Sequence, residues 1–335
     1  QTLAIGIIAS MFTALVITRL IVNAFYAVGL RSEKLYYRPK KEREPIDFLS
    51  KKKVFFTISL VLIAAGVITI GINAGRGNGA FAYSLEFQGG TSTNVTFDEI
   101  DKEIVPVVEK VTGDNNVQTQ KVAGTNQVII KTVTLDLDKR EALNKAMVDN
   151  FGVDESKITA ENISSTVSNE MRRDAVIAVV IATICMLLYI WFRFKDIRFA
   201  TSAVLALLHD VLVVVGFYAI ARISVGNTFI ACMLTIVGYS INATIVIFDR
   251  IREEMRGKTK SSDVAAVVNK SITQTLTRSI YTSLTTFIMV AVLYVRGVSS
   301  IKEFALPLMV GVVCGAYSSV CITGALWYVM KRFKK

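Results

Sequence analysis

Gly238-Tyr-Ser-Ile-Asn-Ala-Thr-Ile-Val-Ile-Phe-Asp-Arg-Ile-Arg252 places polar side chains inside an apolar run that begins near Phe229. Tyr239, Ser240, Asn242 and Thr244 would each cost free energy in hydrocarbon unless they face a partner or a cavity, so the stretch marks where a membrane protein works. Thr235, Asn242 and Asp249 recur at seven-residue spacing and share roughly one helical face. That face is expected to look into a helix bundle and not into lipid.

Composition supports a membrane protein. Of 335 residues, 52% are hydrophobic and only 19% charged, with a mean hydropathy of +0.48; soluble domains carry about 25% charged residues. Seven apolar runs, near 3–27, 54–73, 174–192, 199–222, 226–248, 276–295 and 304–330, meet the length of about 18 residues that a membrane helix needs. The net charge of +11 could suggest a nucleic-acid partner, but its placement argues against one. Basic residues crowd Arg31 to Lys53, Arg193 to Arg198, Arg250 to Lys260 and Lys331 to Lys335. Those four segments alternate correctly to share one side of the membrane, which the positive-inside rule makes cytoplasmic.

Residues 74–170 have the composition of a soluble domain, and the topology puts them outside the cytoplasm. Their pattern reads as strand Tyr83–Phe97, helix Ile100–Thr112, strand Val117–Val122, strand Gln127–Thr134, helix Asp138–Phe151 and strand Lys157–Ser165. This β-α-β-β-α-β order is that of an α+β ferredoxin-like sandwich. Ala123-Gly-Thr-Asn126 is expected to turn the hairpin, and Asp138 to cap the second helix. Gly89-Gly90 within the first strand suggests a kink or a close backbone approach.

The two ends of the chain repeat one another. Gly6-Ile-Ile-Ala-Ser-Met-Phe-Thr-Ala-Leu-Val-Ile-Thr18 aligns without a gap on Gly311-Val-Val-Cys-Gly-Ala-Tyr-Ser-Ser-Val-Cys-Ile-Thr323. Gly6, Ser10 and Ala14 match Gly311, Gly315 and Ser319, a small-xxx-small spacing that lets helices approach closely. The expected organisation is therefore 1–27 as the last helix of a preceding repeat and 28–53 as a basic cytoplasmic linker. A membrane helix (54–73), the external domain (74–170) and a five-helix bundle with a cytoplasmic tail (171–335) follow.

These residues resemble the SecD/SecF family, bacterial accessories of the protein-secretion channel within the RND superfamily. Phe12-Thr13-Ala14 and Thr18-Arg19 look like the end of SecD. Leu85-Glu-Phe-Gln-Gly-Gly-Thr91 is similar to the family's first external strand motif, carried here by Glu86, Phe87, Gly89 and Gly90. Ala206-Leu-Leu-His-Asp-Val211, Leu234-Thr-Ile-Val-Gly-Tyr-Ser-Ile-Asn242, Phe248-Asp-Arg-Ile-Arg-Glu253, Thr277-Arg-Ser-Ile-Tyr-Thr-Ser-Leu-Thr-Thr286 and Gly315-Ala-Tyr-Ser-Ser319 resemble the SecF core. The resemblance covers essentially the whole chain. It implies use of a proton or sodium gradient to pull or release translocating unfolded polypeptide. The implied partners are a SecD half, the SecYEG channel and the lipid bilayer.

Arg278 forms one polar face with Thr282, Thr285 and Thr286 and is expected a turn or so into its helix. An arginine at helix centre costs about 2.5–3.5 kcal/mol on insertion scales and requires a carboxylate or water. The resemblance places the matching arginine in an ion pathway, with Asn242, Thr282 and Thr285 beside it. Ala243 stands where relatives commonly carry a relay aspartate. Either a carboxylate has been replaced there or titration is left to other groups. Asp210, about mid-helix, is a candidate for that role by its depth. His209 beside it could relay protons, although sequence neighbours diverge by about 100° on a helix. Glu86, Phe87, Gly89 and Gly90 could place a surface for unfolded polypeptide, or form a strand with a bulge.

All four cysteines lie in apolar runs, and His209 shows no ligand cluster in the sequence, so no metal site is expected. No nucleophile–base set or phosphate loop is visible, so neither an enzyme nor a cofactor is expected. Two rival functions are a small-molecule or lipid exporter of the same superfamily and a structural, non-transporting channel subunit.

Overall fold

A computed structural model describes residues 2–32, 44–76, 79–97, 103–114, 117–122, 126–256, 263–297 and 299–332. Two units are distinguished, Gln1–Arg43 and Glu44–Lys335. Among the described residues the first holds one helix, α1, made of Thr2–Phe12, a π-helical stretch Thr13–Ile17, and Thr18–Ala27.

The second unit opens with α2 (Lys52–Gly75), β1 (Ala82–Tyr83), a short helix α3 (Leu85–Gln88) and β2 (Gly90–Thr96). The soluble part continues through α4 (Val105–Thr112), β3 (Gln118–Lys121), β4 (Gln127–Thr132), α5 (Leu137–Phe151) and β5 (Ile158–Ile163). Then come α6 (Ser165–Phe194), α7 (Ile197–Ala221), β6 (Ser224–Val225), α8 (Asn227–Met255) and α9 (Val264–Arg296). The last helix, α10, joins Ser299–Tyr317, a π-helical stretch Ser318–Thr323, and Gly324–Arg332. Among the described residues seven helices, α1, α2 and α6 to α10, are long and apolar enough to cross a membrane. The chain is a multi-pass membrane protein.

The four-stranded sheet has the order β3-β4-β2-β5, antiparallel throughout, which is the ferredoxin-like arrangement. Alternate residues of β4 point inward, Val128 and Ile130 meeting Val108 of α4 and Leu143 and Met147 of α5 in one core. Asp136, not Asp138, caps α5 by accepting from the Lys139 N–H at 2.9 Å. The hairpin expected at Ala123-Gly-Thr-Asn126 falls, for 123–125, outside the described residues, as does 98–102 ahead of α4.

The expected strand Tyr83–Phe97 is broken. Leu85–Gln88 winds into a helical turn, and the strand proper starts only at Gly90. Gly89 at φ 76° and Gly90 at φ 144° make that change of direction, in backbone regions that a side chain disfavours. The root of the sheet is tied to the bundle. β1 pairs in parallel with β6, the Ser84 N–H donates to Val225 O at 3.0 Å, and Arg222 donates to Gly79 O at 3.0 Å. At the far side β5 passes into α6 across Ser164 alone, whose hydroxyl accepts from the Val167 N–H.

Helix α9 is longer than its apolar run suggests, starting at Val264 and not near 276. Its first half buries Asn269, Ser271, Thr273 and Thr275, and these three hydroxyls donate to carbonyls four residues back, so burial strands none of the three. Asn269 also accepts from the Phe48 and Leu49 N–H groups and donates to Asp47, while Ile46 N–H donates to Thr273. The segment ahead of α2 is thereby latched onto α9. Between α2 and α7 the backbones touch: a Cβ added to Gly66 would lie 2.6 Å from the Gly216 Cα.

Candidate functional site

Asp210 sits halfway along α7 and is completely buried. Ser240 on α8 and Ser318 on α10 donate hydroxyl hydrogen bonds to its Oδ2 at 2.5 and 2.7 Å. On the other oxygen, the Cys314 thiol donates at 3.3 Å and His209 Nδ1 lies 2.9 Å away. The two sequence neighbours on α7 therefore do meet, the imidazole turning back onto the carboxylate. Three donors and the neighbouring imidazole surround the carboxyl group and take the place of the water it lost. His209 Nε2 is buried without a partner among the described residues.

The π-helical stretch of α10 shapes this cluster. Ser318 is its first residue, and Thr323, five positions on, donates its hydroxyl to Ser318 O at 3.0 Å. Such single π turns recur at functional sites because they shift side chains out of α-helical register. The helix-packing residues named from the sequence lie on the same face. Gly311 fits against Ile236, and a Cβ on Gly315 would come 3.2 Å from Ser240 Cβ. Ser319 is buried between Ser240 O and the Thr244 hydroxyl.

Arg278 is elsewhere. It lies midway along α9, deeper than the sequence suggested, because the helix begins at Val264. With Asn242, Ala243, Thr282, Tyr239, Ser279 and Ser283 it lines a groove of about 80 Å³ between α8 and α9. The expectation that Thr235, Asn242 and Asp249 look into the bundle is not met within this chain. Thr235 and Asn242 are exposed, and the buried face of α8 is the one bearing Met233, Ile236 and Ser240. The physical reason is size and polarity: the small and branched residues on that face close against α10, leaving the amide outside. Thr282 and Thr285 are exposed and donate to carbonyls four residues back. Thr285 does not line the groove. Asp249 pairs with Arg193 at 3.0 Å, and Arg250 with Glu253 and Glu254, forming an ionic collar at one end of the bundle.

The expected ion-pathway residues thus fall apart: Asp210 sits in the buried cluster on α7, and Asn242, Arg278 and Thr282 border the groove between α8 and α9. Ser240 touches Asp210, while Asn242 and Ala243 border the Arg278 groove, within a turn of it along the helix. Sequence reasoning missed Ser318 and Cys314 as partners of Asp210. It also missed Ser279 and Ser283, which with Tyr239 have buried hydroxyls at the groove and no partner among the described residues. Their polarity inside apolar runs was the available signal.

The reading that His209 lacks a ligand cluster is corrected: His209, Asp210 and Cys314 bring three ligand atoms within 4.8 Å of one another. They could hold a metal ion. The hydrogen bonds already saturate the carboxylate, however, so the geometry fits a proton-bearing network equally well. Phe87, expected in a strand that either faces polypeptide or carries a bulge, is instead buried among Val214, Tyr218 and Met233 at the end of the bundle. Its ring gains more from that apolar contact than from a wet sheet face. The Glu86 side chain lies outside the described residues.

Comparisons with known proteins bear on the family of the chain. The family model for the C-terminal part of the protein export membrane proteins SecD and SecF matches residues 143–333. The protein translocase subunit SecF of Sebaldella termitidis is 35% identical over 294 residues, covering 87% of this chain and 93% of that protein. The SecDF subunit of Thermus thermophilus is 33% identical over 99% of this chain but only 44% of its own length. A crystal structure of SecDF from the same organism, described as a translocon-associated membrane protein, superposes with a TM-score of 0.81 at 30% identity. That match covers 98% of this chain and 44% of the other. The chain therefore spans less than half of its SecDF relatives and nearly all of its SecF ones, and it belongs to the SecD/SecF family of protein export membrane proteins.

Proposed function

We propose that this chain is the SecF-type half of an ion-driven accessory to the bacterial Sec channel, SecYEG. It promotes late translocation and release of pre-proteins on the outer side of the cytoplasmic membrane. In this reading the 74–170 domain lies outside the cytoplasm, a SecD half covers the open face of α8 and α9, and translocating polypeptide is the cargo. The chain performs no enzymatic step. The four basic segments that share one side support the orientation.

One observation carries the reading: a titratable group, Asp210, fully buried at mid-span and contacted from three helices. Charged side chains at that depth are costly and mark ion paths. Protonation of Asp210 would remove the charge that draws Ser240 and Ser318 together, so proton uptake and helix packing share one set of bonds. Arg278, with Asn242, Thr282 and Thr285 along the open face, forms the second stage, where a carboxylate of the SecD half would pair with it. Ala243 contributes no proton there.

The test uses membrane vesicles containing the channel, this chain and an N-terminal SecD half. Completion of a stalled pre-protein is followed with and without a proton gradient. Gradient-dependent completion is expected, and Asp210→Asn should reduce it by about 10²-fold, the scale of losing a proton-transfer group. An Ala243→Asp variant should strengthen the gradient dependence. Completion indifferent to the gradient in all three would mean a structural, non-transporting subunit.

A further inference from the structure

A slot of about 570 Å³ opens between α6, α7 and α8, within the ~300–1,000 Å³ range of ligand sites. It is walled by aliphatic side chains such as Val204, Val211 and Met233 and roofed by Phe81, Tyr83 and Phe87. Its polar landmark is Arg172. That guanidinium lies over the Tyr83 ring, 4.6 Å from the centroid, and its Nε is buried without a hydrogen-bond partner among the described residues. Glu170 and Asp174, two positions away, lie about 200° round the helix, and among the described residues no ion pair joins them to Arg172.

The dimensions select the occupant. From Arg172 to Thr183, the deepest lining residue of α6, the helix rises about 16 Å, half of the ~30 Å hydrocarbon core of a bilayer. One acyl chain of one leaflet spans that depth. A cation stands at the headgroup end, where an unpaired guanidinium favours the two oxygens of a phosphate.

We infer that this slot binds one anionic phospholipid from the leaflet on the side of the four-stranded domain, its acyl chain between α6, α7 and α8 and its phosphate on Arg172. The lipid then touches Tyr83 and Phe87, the segment that leads from the membrane into the sheet, and becomes part of the root on which that domain stands.

The chain would be placed in nanodiscs of equal phosphatidylglycerol and phosphatidylcholine with identical acyl chains, and the lipids retained on ejection into a mass spectrometer counted. The unaltered protein should retain one phosphatidylglycerol, enriched several-fold over phosphatidylcholine. Arg172→Gln should bring the ratio back to one, Arg172→Lys should keep much of the enrichment, and Val204→Trp, which fills the slot, should abolish retention. If Val204→Trp does not fold, the Arg172 pair still decides. No enrichment in the unaltered protein, or the same enrichment in Arg172→Gln, would overturn the inference. So would a photo-crosslinker at Val211 that captures translocating polypeptide and no lipid.

Discussion

Asp210 shows how one carboxylate can be tolerated in the middle of a membrane helix. Its Oδ2 receives two serine hydroxyls and its Oδ1 a thiol, with an imidazole nitrogen 2.9 Å from that second oxygen. Removing one donor strands part of a buried polar group. Ser318→Ala should therefore destabilise the protein by about 1–3 kcal/mol, read as a lower unfolding temperature in detergent. Cys314→Ser keeps a donor and should cost well under half of that. Equal losses would mean that packing volume, not hydrogen bonding, sets the effect. At this scale the sequence was partly legible. Asp210 and Ser240 stand out as polar residues in apolar runs, but a sequence does not say which polar residues on different helices meet. Ser318 was hidden by the π turn, which moves it by a fraction of a helical turn from its α-helical position.

Elements are joined by close backbone approach and by side chains that accept backbone hydrogens. Gly66 and Gly216 let α2 and α7 touch, with each glycine's missing Cβ taken up by the other's Cα at 2.6–2.8 Å. Either Gly66→Ala or Gly216→Ala should cost about 1–3 kcal/mol by overpacking, and the double variant less than the sum, since both push on the same contact. Thermal unfolding of the three variants checks this; full additivity would mean that the two sites do not share a contact.

The latch ahead of α2 carries its own pH dependence. The Ser50 backbone N–H and the Asn269 amide hold the Asp47 carboxyl below the usual carboxylate range. Because the folded value is the lower one, the stabilisation is complete above the unfolded value of about 3.9 and disappears as pH falls through the folded value. Asp47→Ala should be less stable than the unaltered chain at neutral pH, with the gap closing below about pH 4. A gap unchanged down to pH 3 would show that the carboxylate charge is irrelevant to the latch. Hydropathy located α9 but not its first half, since buried Asn269, Ser271 and Thr273 read as polar until their local hydrogen bonds are known. Likewise the helical turn Leu85–Gln88 hid inside a strand-like sequence, because Phe87 is drawn to the bundle and not to the sheet.

For the whole molecule, the hydrophobic runs and the β-α-β-β-α-β pattern made both the seven helices and the ferredoxin-like sheet readable. Each rests on a periodicity that burial enforces along the entire element. The internal repeat gains a second line of support. The π-helical stretch Thr13–Ile17 of α1 stands at the aligned position of Ser318–Thr323 in α10. Thr18 donates to Thr13 O at 3.1 Å just as Thr323 donates to Ser318 O at 3.0 Å. A local distortion shared by two segments of different sequence is harder to reach by chance than a shared spacing of small residues.

The passage from β5 to α6 has a mechanical meaning. Between Ile163 and Ser165 only Ser164 intervenes, and it is pinned as a helix cap. An unstructured residue can absorb at most about 3.3–3.6 Å of travel, so this splice has almost no slack to absorb. The sheet and the membrane helix behave at that corner as a crank on a shaft: torque applied to one side arrives on the other undamped by any entropic spring. A run of several glycines inserted after Ser164 would turn the crank into a tether.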